Sequence, residues 1–409
     1  MAFSQVKLNW HEGNRIDLLR NGEDFFPALC KSIDEARRLV HLETYIFNLD
    51  KTGLLVLEHL QKACERGVKV RVVLDGFGSQ EHGADIVQRL AAMGAQSRVY
   101  RPEPKGLRAV RFTLRRLRRM HRKITLVDNE VAFIGGINIL DDYEDVPDDG
   151  AGPRPRFDFA VRVQGPIVAD VIKAQRALWL RMAWRRRDDW AAFYQRIKHV
   201  AERRRKFYAQ HLPAFEPGRR AALLLRDNLR YRQTIENVYL ATMAQAQSEI
   251  LIANAYFFPG RRLRKALEDA SRRGVRVRLL LQGRSEYPMQ YRACRYMYCK
   301  LLDDGIEIHE YQPSYLHAKV AVIDNCAMVG SSNLDPFSLL LAREANVYIE
   351  DVDFARELRE ALEMEMQSNC APVTAEALQK RSRFGAWADA FSYFMLRAGV
   401  ALTGKASEY

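Results

Sequence analysis

Two stretches of this chain are written in one pattern. Gly67-Val68-Lys69-Val70-Arg71-Val72-Val73-Leu74-Asp75-Gly76 is echoed by Gly274-Val275-Arg276-Val277-Arg278-Leu279-Leu280-Leu281-Gln282-Gly283, and Leu42 to Phe47 by Ala253 to Phe258. A duplicated chain must fold as two copies of one unit that bury their faces together. Each half alternates apolar strand-like runs with helix-like runs such as Leu54 to Arg66 and Arg262 to Arg273, the order of an α/β sandwich. The expected fold is therefore α/β. Two similar lobes, with mixed sheets flanked by helices, pack face to face about a pseudo-two-fold with one site at their interface. The expected division is residues 1–206 for the first lobe, 207–380 for the second and 381–409 for an amphipathic tail, with a basic connector from Trp184 to Arg205. The length gives ample core for either lobe.

The repeat carries chemistry. His121, Lys123 and Asp128 recur with the same spacing as His317, Lys319 and Asp324, and each set is followed by a glycine-led segment ending in asparagine: Gly135-Gly136-Ile137-Asn138 and Gly330-Ser331-Ser332-Asn333. A histidine and lysine two apart on a strand-like segment share a face, while the aspartates fall on the other face and are expected to be structural. A phosphodiester is anionic and resists attack. Cleaving it takes a nucleophile, a proton donor for the leaving alcohol, and fixed positive charge around the phosphate oxygens. Two histidines, two lysines and two asparagines supply all of these, so the copies read as one phosphoryl-transfer site built by two halves. One histidine beside a lysine is more often ordinary surface polarity; both copies, with both glycine-asparagine segments, leave that explanation little room.

These paired motifs resemble the phospholipase D superfamily, over nearly the full chain. Within it, Arg119 to Lys123, Phe133 to Asn138, Asn254 to Gly260 and Val329 to Pro336 resemble the bacterial cardiolipin synthases, in particular the short type B form without amino-terminal transmembrane helices. The resemblance implies a metal-independent, cofactor-free transfer through a phosphohistidine. It suggests His121 as nucleophile and His317 as acid and then base, with near-symmetry leaving the reverse open. Lys123, Lys319, Asn138 and Asn333 would hold the phosphate oxygens, with Ser331 as an added donor where the first copy has only the Gly136 N–H. Asp158 and Glu344 would orient the histidines, because an imidazole nucleophile needs its second nitrogen hydrogen-bonded. The implied reaction joins two phosphatidylglycerol molecules into cardiolipin and releases glycerol; some relatives also accept phosphatidylethanolamine as donor. A hydrolase of the same superfamily, acting on lipid or nucleic acid, is the alternative. A non-enzymatic binder is disfavoured, since binding alone does not need both histidines.

Charge favours anionic partners: the formal net charge is +13. Arg108, Arg111, Arg115, Arg116, Arg118, Arg119 and Arg122 crowd before His121, in a stretch the second half lacks. A second cluster, Arg185, Arg186, Arg187, Arg203, Arg204, Arg205 and Lys206, surrounds Trp184, Trp190 and Phe193. Arginines interleaved with aromatics suit the headgroup layer of an anionic membrane, and nucleic acid is not an expected partner. No run is long and apolar enough for a transmembrane helix, and Met1 to Asn14 lacks a secretory segment, so a peripheral place on the cytoplasmic face of a bacterial cell membrane is expected. Phe384 to Leu402 reads as an interfacial helix, with a helix docked on the body as the alternative. The loop Asp141 to Pro155 reads as a surface insertion rather than a lid, and the turn after Asp324, one residue shorter than that after Asp128, as a tighter hairpin. Cys30, Cys64, Cys294, Cys299, Cys326 and Cys370 have neither metal-ligand spacing nor the density of a disulfide scaffold, and are expected as free thiols.

Overall fold

The structure, a computed structural model, describes residues 7–104, 116–148, 152–185, 212–228, 231–284 and 286–401. The first half runs β1 (Trp10–Arg20), α1 (Asn21–Asp34), β2 (Leu39–Thr44), α2 (Lys51–Glu65), β3 (Lys69–Asp75), α3 (Gly83–Ala92), β4 (Gln96–Tyr100), β5 (Lys123–Val127), β6 (Val131–Gly135), β7 (Phe159–Gln164) and α4 (Val168–Arg185). The second half repeats this plan. It runs β8 (Arg219–Arg226), α5 (Thr234–Gln245), β9 (Glu249–Asn254), α6 (Arg261–Arg272), β10 (Arg276–Gln282), α7 (Pro288–Tyr296), α8 (Tyr298–Asp303), β11 (Glu307–Tyr311), β12 (Lys319–Ile323), β13 (Cys326–Gly330), a π-helical turn (Phe337–Leu341), β14 (Glu344–Glu350) and α9 (Val352–Asn369). A short β15 (Cys370–Pro372), α10 (Ala375–Gln379) and α11 (Arg383–Ala401) complete it.

Strand order makes the duplication visible. From the middle outward the first half reads β1-β7-β6-β5-β2-β3-β4 and the second β8-β14-β13-β12-β9-β10-β11, with β15 added at the second outer edge. In both, three strands pair in parallel and the rest are antiparallel. The two sheets pack through a shared apolar cluster that includes Ile124, Ile134 and Val163 from one half and Val320, Val329 and Val347 from the other. Fully burying each such side chain contributes about 1.5–3 kcal/mol. The lobes also do something the expectation of simple face-to-face packing lacked. β1 pairs antiparallel with β8, through Trp10–Ala222 and His11–Ala221, so the sheets join into one run of 15 strands. Each lobe thereby covers the open edge of the other's first strand, which would otherwise present unpaired N–H and C=O groups.

Local chemistry explains why matching elements start and stop together. In α6, Leu263, Leu267 and Ala270 are buried on one face while Arg261, Arg262, Lys265 and Arg272 are exposed. Asp50 caps α2 by accepting from Gly53 N at 2.8 Å, and Asp351 caps α9 from Phe354 N. Gly67 and Gly274, with φ of +81° and +88°, end α2 and α6 in the left-handed conformation that a Cβ disfavours.

The motif aspartates close the hairpins and stitch them to neighbouring strands. Asp128 accepts the N–H groups of Arg37, Arg38 and Leu39 at 2.7–2.8 Å; Asp324 accepts those of Gln247, Ser248 and Glu249 and the Ser248 hydroxyl. The three-residue turn Asp128 to Glu130 becomes a two-residue turn at Asp324 and Asn325, the tighter hairpin expected. The loop after Asn138 is sewn to the body: Asp141 N donates to Asp50, Gly22 N to Asp142, and Arg156 to the carbonyl of Glu144. Arg108, Arg111 and Arg115, and the connector residues Arg186, Arg187, Trp190, Phe193, Arg203, Arg204, Arg205 and Lys206, lie outside the described residues. All six cysteines are unpaired, and among the described residues no helix is long and apolar enough to cross a membrane.

Candidate active site

The backbone just before each histidine forms its bridge with the opposite half. Arg343 N donates to Arg119 O and His121 N to Arg343 O, at 2.8 and 2.9 Å; in the other copy Phe157 N donates to Tyr315 O and His317 N to Phe157 O, at 3.0 and 2.8 Å. These two short bridges place each histidine beside the strand start of the opposite lobe. Glu344 follows Arg343, and Asp158 follows Phe157, so each carboxylate faces the other half's histidine.

His121 Nδ1 is 3.0 Å from Glu344 Oε1 and 3.2 Å from Oε2, and His317 Nδ1 is 2.6 Å from Asp158 Oδ2. The acids are almost sealed, with 0% and 5% of their side-chain surface exposed, whereas His121 and His317 keep 15% and 20%. Asp158 and Glu344, expected beside the histidines, each contact the histidine of the opposite half. A Nδ1–H donated to a carboxylate leaves Nε2 as the basic nitrogen.

Burial, chiefly, holds the His121 imidazole below the usual histidine range, with Glu344 opposing and Lys123 and Lys319 adding to it. His317 is lowered further, by burial and then by Lys319, Lys123 and His121. Asp158 is pushed up to about 6 by burial against the pull of Lys319. Two lysines share the field: burial and Lys319 bring Lys123 down to about 7, and burial brings Lys319 to about 8 although Asp158 and Glu344 raise it. Each lysine reaches back to its own motif, Lys123 Nζ donating to His121 O at 2.8 Å and Lys319 Nζ to His317 O. Five ionisable groups with displaced affinities for protons, gathered around the two motifs, are a functional-site signature.

The glycine-led segments abut the two acids, Gly136 against Asp158 and Ser331 against Glu344. Asn138 and Asn333 are buried; Asn138 Oδ1 accepts from Ile46 N at 3.2 Å, while Asn333 Oδ1 has no partner among the described residues. Ser331, expected to face a phosphate oxygen, spends its hydroxyl hydrogen elsewhere. It donates to Glu344 Oε2 at 2.5 Å and accepts from Ala345 N at 3.0 Å. The Gly136 N–H is likewise committed, to Phe159 O at 2.9 Å. A Cβ on Gly136 would run into the Asp158 carboxylate, so glycine is what lets the shorter acid lie there, whereas Ser331 bridges to the longer Glu344.

Sequence reasoning passed over three residues here. The Tyr45 ring lies 4.8 Å from that of His121, edge to face, with Lys123 Nζ 5.4 Å from its centroid. Its membership of the echoed segment, where Tyr256 is the counterpart, was the available signal. Asp75, fully buried, accepts from Met120 N at 2.8 Å and so anchors the residue before His121. Glu43 takes Arg122 in a buried two-pronged pair at 2.5 and 2.9 Å. Arg116 and Arg119 pair with Glu103. Three described members of the basic stretch, read as a surface for anions, therefore bind acids of their own chain, because those acids arrive from distant segments.

At the mouth, Arg156 of the first lobe meets Glu286 of the second at 3.1 Å, and Tyr256 OH lies 3.4 Å from the same carboxylate. Among the described residues no three His, Cys, Asp or Glu side chains form a metal-binding group.

Comparison with known proteins gives three findings. A family model described as cardiolipin synthase, PLD-like domain, matches residues 29–144 and 239–366. The cardiolipin synthase B of Shigella flexneri is 40% identical over 403 residues, 98% of this chain and 92% of that protein; that of Escherichia coli strain K12 has the same identity and coverage. Among solved structures, a phosphatidylserine synthase from Haemophilus influenzae Rd KW20 superposes with a TM-score of 0.68 at 14% identity, over 95% of this chain and 94% of that one. At that identity the likeness speaks for the fold.

Proposed function

This chain belongs to the cardiolipin synthase family of phospholipase D-like phosphatidyltransferases, and on that premise we propose that it joins two phosphatidylglycerol molecules into cardiolipin and glycerol through a phosphohistidine. The observation that carries the reading is the pair of histidines, each with Nδ1 against a sealed carboxylate and Nε2 left basic.

In the first step Nε2 of His121 attacks the donor phosphorus and the bond to the glycerol oxygen breaks, that oxygen taking its proton from His317. In the second, neutral His317 removes the proton of an acceptor hydroxyl, whose oxygen attacks phosphorus and releases His121. A low proton affinity in the empty site suits the second step. The bound phosphodiester adds negative charge beside His317 and raises that affinity, as the first step requires. Lys123 and Lys319, with Asn138 and Asn333, are the groups assigned to the non-bridging oxygens. Ser331 acts through Glu344. Asp128 and Asp324 act by holding the hairpins. No cofactor is needed for this scheme, phosphatidylethanolamine is its second donor class, and the working position is peripheral, on the cytoplasmic face of a membrane.

The test is purified protein with phosphatidylglycerol vesicles in chelator, following cardiolipin, phosphatidic acid and glycerol. Cardiolipin with equimolar glycerol is expected. Phosphatidic acid as sole lipid product would assign hydrolysis instead, and dependence on added metal would remove the phosphohistidine scheme.

A further inference from the structure

Helix α11 has two unlike faces. Asp389, Tyr393, Leu396 and Val400 are buried where the helix packs on α7, with the Tyr296 ring of α7 tilted against that of Tyr393 at 4.5 Å. The other face carries Phe384, Trp387, Phe391, Phe394 and Met395, each 49–75% exposed. Three of these rings stack along the helix, Phe384 on Trp387 at 6.4 Å and Trp387 on Phe391 at 5.6 Å, so the exposed face is a continuous ridge. It extends beyond α11. Tyr296 reaches Phe394 at 5.9 Å, and Tyr287 and Met289, also more than half exposed, lie at the opposite, amino-terminal end of α7. Tyr287 in turn touches Tyr256, whose hydroxyl meets Glu286 at the mouth of the site.

An apolar patch of this extent on a water-facing surface marks an interaction site. Charge says with what. The one carboxylate within α7 and α11 is Asp389, which is 1% exposed and paired with Arg381, whereas Arg383 and Arg397 are exposed beside the ridge. Aromatic rings flanked by arginines, with Asp389 buried and Glu286 at the Tyr287 end held by Arg156, complement the headgroup layer of an anionic bilayer. We propose that the ridge of α11, together with Tyr287 and Met289 at the far end of α7, is the surface by which this protein lies on an anionic membrane, setting the mouth of the active site against the lipid. The inference rests on the reading that the substrate is a lipid held in a bilayer. Both readings of the tail are then halves of one answer: the helix docks by one face and presents the other.

The experiment compares the full chain with a variant combining Trp387→Ser, Phe391→Ser and Phe394→Ser, none of which touches the site. On vesicles of equimolar phosphatidylglycerol and phosphatidylcholine, the variant's binding is expected to weaken at least about tenfold, with turnover of vesicular lipid falling in step. Turnover of a short-chain phosphatidylglycerol below its micelle threshold should be unchanged, which also certifies the fold. In the wild type, lipids brominated near the glycerol should quench an emission component that Trp387→Phe removes, a readout independent of the triple variant. Undiminished vesicle binding, or an unquenched Trp387, overturns the proposal. So does a wild-type dimer that the triple substitution turns into monomer, since the ridge would then face a second copy. If neither lipid form yields cardiolipin while the variant still loses vesicle binding, the proposed reaction fails and the membrane surface stands.

Discussion

His317 Nδ1 lies 2.6 Å from Oδ2 of Asp158, a carboxylate supplied by the opposite half of the chain. The reciprocal contact, His121 with Glu344, makes the exchange mutual.

The exchange predicts an inverted mutational map. With an activated phosphatidyl donor, His317→Ala should still trap a covalent phosphatidyl-enzyme and His121→Ala should not. Asp158→Asn, although in the first half, should behave like His317→Ala, and Glu344→Gln like His121→Ala. Each amide is expected to lower kcat on the order of 10²–10⁴-fold. Intact-mass detection of the adduct decides it; trapping with the opposite pairing would swap the assigned roles.

Anion binding should be linked to proton uptake. Lys123, brought down to about 7, and Lys319, at about 8, are partly neutral at pH 8 and regain charge when an anion sits between them. A group whose affinity for protons rises on binding takes them up, and ligand affinity then falls as pH rises through the free-state pKa. Sulfate, which does not titrate here, should bind with net proton uptake at pH 8, and replacing Lys123 and Lys319 by methionine should remove most of that uptake. Calorimetry in buffers of different ionisation enthalpy measures the protons directly.

Asp128→Ala should separate folding from chemistry. It strands three backbone N–H groups, costing about 1–3 kcal/mol of stability or more in denaturant titrations. Among molecules that remain folded, kcat should stay close to wild type, whereas Lys123→Ala should lose turnover with little change in stability.

Gly136→Ala places a methyl group where the Asp158 carboxylate lies. Moving that acid disorients His317, and kcat is expected to fall by at least about 10²-fold while lipid binding is retained. Ser331→Gly makes the second copy match the first and should be milder, since Glu344 keeps its contact with His121.

Arg122→Met leaves Glu43 buried without its partner and should destabilise by about 3–5 kcal/mol, read from urea unfolding. Adding Glu43→Leu should recover part of that loss, because the uncompensated charge is removed with it.

Periodicity and spacing carried a good deal of this molecule. The same-face placement of His121 with Lys123, the opposed Asp128 and Asp324, the duplicated strand-helix order and the tightened second hairpin are local properties, written within a few residues of each other. What stayed hidden is set by contacts between distant segments. Spacing cannot show that Asp158 meets His317 rather than His121, that Glu43 and Glu103 consume arginines of the basic stretch, or that the Ser331 hydroxyl belongs to Glu344. Nor does a helix-like tail reveal that it both docks and exposes a face, since hydrophobicity alone does not say which side finds a partner.

The pairing of β1 with β8 and the traded carboxylates have a consequence for how the site responds to dilution. Were the halves separate molecules, each would hold a histidine with no acid, and the working arrangement would exist only as far as concentration drove association. Tethered in one polypeptide, each half meets the other at an effective concentration that no dilution changes. The site is therefore as complete in a sparsely expressed molecule as in a crowded one, and the two halves are free to diverge, as Gly136 and Ser331 have, without losing their match.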